Sequence, residues 1–229
     1  MENVGVVAAP APAAPKAAAP APAASIALPG VLPLGKDGKP LNFDFEQGTL
    51  RDWMATGDAF NDQPIKGDID QNRKYGKGRH ADLQGQYWIG GYEKLEDKPH
   101  GTLTSVAFTV THPWASFLIG GGSLPGTRVE LVRVDTGEVF FTARGRNNET
   151  MLPVAVDLQA LKDKEIFIRI VDEESTGWGH VNFDDFRFYT AKPALAEVVK
   201  LANASMTAPP LPQDVYKFAG LPPEQAQRR

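Results

Sequence analysis

Leu41, Phe43 and Phe45 alternate with Asn42, Asp44 and Glu46, a period of two that predicts a strand with one buried face. The same texture returns at residues 102–110, 114–119, 128–134, 138–143, 153–158, 165–171 and 181–189. These runs are short, rich in Val, Ile, Phe and Thr, and separated by Gly, Pro, Asp or Asn. Asp135-Thr136-Gly137-Glu138 supplies a hairpin turn between two of them. No helical pattern of normal length and no internal repeat occurs between residues 41 and 190. Many short strands with regular turns predict an all-β chain folded as an antiparallel two-sheet jelly-roll sandwich.

The flanks differ. Residues 8–24 are Ala or Pro except Lys16, and such side chains are too small to build a core. Residues 1–38 are therefore expected to be a disordered linker, 39–190 the sandwich, and 191–229 a short amphipathic helix (Leu195, Val198, Val199, Leu201) followed by Pro-rich linker. A tether at each end reads as a module of a longer protein. Within the sandwich, residues 59–96 form a polar, Gly-rich stretch carrying Tyr75, Tyr87, Trp88 and Tyr92. A loop this long is usually functional, and its aromatic residues favour an ordered one.

Composition narrows the function. The formal net charge is −4, so there is no global basic field to hold nucleic acid. The absence of cysteine excludes disulfides, Cys-ligated metal and covalently attached c-type haem within this chain. No apolar run is long enough to insert in a membrane. The start, Met1-Glu2-Asn3-Val4, has no basic region leading into an apolar run, so no secretory leader is expected in the chain as it stands.

Candidate chemistry lies in three places. Asp58, Arg79, His80, Trp88, Tyr92, Glu93 and Arg144 combine rings with polar groups, the mixture that receives the apolar faces and hydroxyls of a sugar. The alternative is that Trp88 and Tyr87 plug the long loop onto the core. Glu46 and Asp185, with Asp44 and Asp184 as second choice, lie at the two ends of the sandwich sequence. First and last strands commonly lie side by side, and an oxygen-ligated calcium ion would remove the cost of burying these carboxylates. Two carboxyls flanking a sugar could instead serve a glycosidase, but no group is marked for the raised pKa that such an acid needs. Gly120-Gly121-Gly122-Ser123 fits neither a nucleophile elbow nor a phosphate loop and reads as a tight turn. His180, within Gly177-Trp178-Gly179-His180, reads as a positioned hydrogen-bonding residue.

An ordered set of motifs spans residues 41–190. It comprises Asp44-Phe45-Glu46-x-Gly48, Trp53, Gly57-Asp58-Ala59-Phe60, Gly101-Thr102-Leu103-Thr104-Ser105, Phe117-Leu118-Ile119-Gly120-Gly121-Gly122, Ile170-Val171-Asp172-Glu173 and Gly177-Trp178-Gly179-His180-Val181-Asn182-Phe183-Asp184-Asp185-Phe186. This order resembles the carbohydrate-binding-like β-sandwich found beside fructan-hydrolysing glycosidases. It also resembles a domain of large secreted proteins that carry c-type haem and membrane-bound-dehydrogenase propellers. Tyr87-Trp88-Ile89-Gly90-Gly91-Tyr92-Glu93 is closer to the second group. The resemblance implies a galactose-binding-like fold and a non-catalytic, extracellular or periplasmic module whose partners are a glycan and neighbouring domains. The alternative it leaves is a spacer that docks on those domains without a glycan.

Overall fold

The structure, a computed structural model, describes residues 30–194. Its strands are β1 (Trp53–Gly57), β2 (Ile65–Lys66), β3 (Tyr87–Gly90), β4 (Gly101–Ser105), β5 (Phe108–Thr109), β6 (Trp114–Gly121), β7 (Thr127–Arg133), β8 (Val139–Ala143), β9 (Asn148–Asp157), β10 (Glu165–Asp172) and β11 (Val181–Tyr189). A four-residue helix, α1 (Tyr92–Leu95), follows β3, and a 3-10 turn (Gln159–Leu161) follows β9.

One sheet runs β1-β4-β10-β7-β8, with β5 also paired to β10; the other runs β2-β3-β11-β6-β9. Every pairing is antiparallel. The sets β4-β10-β7-β8 and β3-β11-β6-β9 are the two sheets of a jelly roll, as the strand spacing predicts.

Side-chain alternation explains the layers. On β10, Ile166, Ile168 and Ile170 enter the space between the sheets, while Phe167 and Arg169 face the other way. On β11, Phe183, Phe186 and Phe188 all reach the core because the register shifts between Asp184 and Arg187, where Asp185 has φ 54°. The core is an aromatic lattice: Phe43 stands edge-on to Phe108 at 5.0 Å, Phe45 stacks on Trp53 at 5.3 Å, and Phe117 lies 5.5 Å from Phe183. Each such ring contributes about 1.5–3 kcal/mol on burial, an upper range for a real unfolded chain.

Several boundaries differ from the sequence reading. Residues 41–46 are irregular chain and not a strand, although Leu41, Phe43 and Phe45 are buried as expected. Phe45 takes a left-handed φ of 55°, which breaks an extended run, and the buried Asn42 side chain bonds to the Thr49 carbonyl and the Gln47 N–H. The segment nonetheless lies along the last strand: Phe186 N–H donates to the Phe43 carbonyl at 3.1 Å. Of residues 1–38, expected as linker, residues 30–38 are described, and there Val31 and Phe188 exchange backbone hydrogen bonds at 2.9 and 2.8 Å, against the sandwich. The run at 102–110 is two strands, β4 and β5. The expected C-terminal helix lies outside the described residues.

Residues 59–96 are ordered over the outer face of the β11 sheet. They are pegged by a second apolar cluster of Ile65, Ile69, Ala81, Trp88 and Met151. Trp88 is fully buried there and donates from Nε1 to the Gly67 carbonyl at 2.8 Å.

Candidate functional site

At one end of the sandwich the long loop, α1, the start of β9 and the β10–β11 turn enclose a pocket of about 260 Å³. It is lined by Tyr75, Arg79, Tyr92, Asp97, Glu149, Gly177, Trp178 and His180. The turn is brought in by the glycine run at the end of β6. Gly121 has φ 81°, the Gly122 N–H donates to the His180 carbonyl at 2.8 Å, and a Cβ on Gly122 would strike the Trp178 carbonyl oxygen. Of that run, Gly120 and Gly121 end β6 and the turn itself falls at residues 124–126; the glycines serve to hold Trp178 and His180 in place.

The floor is a buried charge network. Glu149 Oε1 accepts from Arg73 Nη2 at 2.9 Å and Arg79 Nη1 at 3.5 Å; Oε2 accepts from Asn182 Nδ2 at 3.0 Å and His180 Nε2 at 3.3 Å. On its other side, His180 Nδ1 bonds Asp97 Oδ1 at 2.6 Å. Burial opposes charge on His180, but the hydrogen bonds and charges of Asp97 and Glu149 prevail and raise its pKa to about 9. Burial likewise opposes charge on Glu149, but His180, Arg73 and Asn182 hold its pKa down to about 2. The imidazole is thus an imidazolium that donates at both nitrogens.

The walls are aromatic. Tyr92 and Trp178 stand 5.3 and 5.7 Å from the His180 ring, and Tyr75 projects at the rim, 63% exposed. Tyr75 and Trp178 both have left-handed backbone, φ 61° and 67°. That conformation is uncommon for bulky residues and costs about 1–3 kcal/mol, so the surrounding structure over-determines both walls.

Of the residues singled out in the sequence, Arg79 and Tyr92 line this pocket. Glu93 stands behind it, accepting from Arg73 Nε at 2.6 Å and so fixing the guanidinium that holds Glu149. Burial pushes the Glu93 carboxyl up, against the pull of Arg73. Trp88 is corrected: it is the peg of the loop and has no exposed face. His80 lies outside the pocket, with Nδ1 2.7 Å from Asp68 Oδ2, and steadies the loop. Asp58 caps a turn, accepting from Asn61, and Arg144 is half-buried in the β8–β9 connection; neither reaches the pocket lining. Sequence reading missed Tyr75, Asp97, Glu149 and Trp178 as a set. The one available signal was Gly177-Trp178-Gly179-His180, a ring and an imidazole between glycines that permit tight packing.

The expected cation pair is also rearranged. Asp185 Oδ1 accepts from Arg187 Nε at 2.6 Å, and Arg187 Nη2 reaches Asp44 Oδ2 at 3.3 Å, so Arg187 already pairs with both. Glu46 Oε1 accepts the N–H groups of Gln86 and Tyr87 at 2.7 and 2.9 Å. Asp184 is fully buried; Oδ2 accepts the Gln84 N–H at 2.8 Å and Oδ1 has no hydrogen-bond partner. Burial, with Asp185 and Glu46 nearby, pushes its pKa up to about 9. Among the described residues, no group of three or more His, Cys, Asp or Glu is arranged to hold a metal.

No family model matches the chain. It is 30% identical over 143 residues, 62% of its length, to a protein of Aspergillus rugulosus described as "Putative glycosyl hydrolase ecdE". The chain spans about a fifth of that relative's length, 19%. Among solved structures it aligns with a family 61 carbohydrate-binding module, TmCBM61, in complex with β-1,4-galactotriose. That match has a TM-score of 0.39 and 16% identity, over 64% of this chain and 93% of that one. It also aligns with a cyclase from Fischerella sp. TAU, with a TM-score of 0.39 and 15% identity, over 68% and 94%. Both scores lie below 0.5, and the sandwich architecture rests on this chain's own strand pairing.

Proposed function

We propose that this chain is a non-catalytic carbohydrate-binding module of a longer extracellular or periplasmic protein, and that it holds one sugar unit in the Tyr75–Tyr92–Trp178 pocket. The observation that carries the reading is the pairing of aromatic walls with a floor of fixed polar groups. Rings receive the C–H faces of a sugar, while Arg79, Asp97 and the tyrosine hydroxyls meet its hydroxyls. At about 260 Å³ the pocket is smaller than one that takes a drug-sized ligand. It therefore suits a chain end or a single branch.

A hydrolase reading draws on the relative from Aspergillus rugulosus and on the two carboxylates at the pocket floor. Against it, a general acid needs a raised pKa, and Glu149 is held at about 2 by three donors. Asp172, pushed by burial to about 8, does not line the pocket. Retention on immobilised glycans, with Trp178→Ala as control, tests the binding reading. Retention of the parent chain and its loss in the variant support it. Failure of every glycan to retain the parent chain would leave the spacer reading standing.

A structural calcium ion is a further part of this proposal, now centred on Asp184 instead of Asp185. The buried Oδ1 of Asp184 without a donor is the feature a hard cation would satisfy, with Glu46 supplying its second oxygen. Chelation should then lower the melting temperature of the parent chain and leave Asp184→Asn unmoved. Identical melting curves with and without chelator would refute it.

A further inference from the structure

Each ring of the pocket already carries one of the protein's own cations. Arg73 Cζ sits 4.5 Å from the Tyr92 centroid, Lys74 Nζ 5.0 Å from that of Tyr75, and Arg79 Cζ 5.1 Å from that of Trp178. The floor adds the imidazolium of His180. A cationic ligand, the usual guest of an aromatic cage, would meet rings whose attraction is taken and a like charge beneath. On the acceptor side, the four hydrogen bonds to Glu149 use all its lone-pair positions. Asp97 accepts one bond at each oxygen, from His180 Nδ1 and from the Trp178 N–H, and keeps its remaining lone-pair positions for ligand hydroxyls. Donors are in surplus. The Arg79 side chain is 39% exposed, and among the described residues its guanidinium makes only the 3.5 Å bond from Nη1 to Glu149. The remaining N–H groups of its planar fork are left for a ligand, with Cζ 5.1 Å from the Trp178 ring centroid.

From this arrangement we infer that the pocket selects an acidic sugar, with the Arg79 guanidinium as the group that takes the ligand's carboxylate. The inference rests on the glycan reading above and sharpens it to a uronic acid at a chain end. A guanidinium matches a carboxylate with two parallel bonds, which a neutral hydroxymethyl group cannot reproduce. Asp97 then orients a ring hydroxyl, and Tyr75 and Trp178 cover the sugar faces.

Calorimetric titration of the whole chain tests this with methyl glucuronoside and methyl galacturonoside, each against its neutral methyl glucoside or galactoside. At low salt, one uronide should bind about tenfold or more tighter than its neutral match, and added salt should shrink the margin. Arg79→Gln should bring the uronide down to the level of the neutral sugar, and Arg79→Lys should restore part of the preference. Circular dichroism checks that both variants keep the strand signal. If a neutral sugar binds as tightly as its uronide, the acidic assignment falls and the glycan reading stands. If acetate competes as strongly as the uronide, the pocket reads a carboxylate without a sugar and the assignment also falls. If neither class binds, the acidic assignment falls, and retention on the immobilised glycans decides the glycan reading.

Discussion

Asn182 and Phe183 are neighbours on β11 and are both fully buried, yet they serve different chemistry. Phe183 meets Phe45, Trp53 and Phe117 at ring distances of 5.5–6.1 Å, where only shape and apolar area matter. Asn182 bonds Glu149 at 3.0 Å and joins a network of Arg73, His180 and Asp97. The first region tolerates substitution by volume. The second is held by charges whose burial cost is met only while every partner is present. The lattice gives the chain its stability, whereas the network holds a pocket in one geometry.

Substitution should separate the two regions. Phe183→Ala should cost about 3–5 kcal/mol in urea unfolding, at all pH values where the chain folds. Glu149→Ala should cost a similar amount, about 3–5 kcal/mol, because it strands Arg73 and His180 as buried charges. Only the second should also abolish ligand binding at concentrations of denaturant that leave the fold intact.

The pH profile sharpens the contrast. His180 has a folded pKa of about 9, above the value near 6.5 of the unfolded chain, so its stabilisation is complete below about 6.5 and is lost as pH rises through about 9. Glu149, lowered to about 2, contributes above about 4.5 and loses its contribution as pH falls through about 2. Unfolding free energy measured from pH 6 to 10 should fall in the parent chain, through His180 and also through Asp172 and Asp184, whose carboxyls burial raises to about 8 and about 9. In His180→Gln that part of the decline should be absent, while Phe183→Ala should keep it. A parallel decline in His180→Gln would break the assignment.

The smallest effect concerns the rim. Tyr75→Gly relieves a left-handed φ of 61° on a largely exposed residue and should stabilise the chain by about 1 kcal/mol or less, while weakening binding. Trp88→Ala should do the reverse of a wall mutation. It should cost about 3–5 kcal/mol through lost packing, because that ring belongs to the peg.

The same division explains what could be read from the chain. Strands such as β6, β10 and β11 were legible because they are rich in β-branched and aromatic residues and the turns around them are marked. Residues 41–46 alternate just as cleanly and are not a strand, since alternation reports burial and not backbone pairing. The floor of the pocket was illegible: Asp97 from the α1–β4 connection, Glu149 from the start of β9 and His180 from the β10–β11 turn are brought together from far apart in the chain, and no local period encodes them. Arg79, Tyr92 and Glu93 were found because aromatic and charged residues in a long loop are conspicuous. Trp88 was placed on the wrong side for the same reason, since a pegging ring and a binding ring have the same local sequence texture.

The peg has a consequence for engineering. Tyr75, Arg79 and Tyr92 arrive on one continuous stretch anchored by Trp88 on the outside of the sandwich, whereas Glu149 and His180 belong to the two-sheet frame. Half of the recognition surface is in effect a cartridge seated on a fixed socket. Exchanging the rim side chains of Tyr75 and Arg79 while keeping Ile65, Ile69, Ala81 and Trp88 as pegs, and Arg73 on Glu149, should retarget the module without disturbing a single ring of the inner lattice.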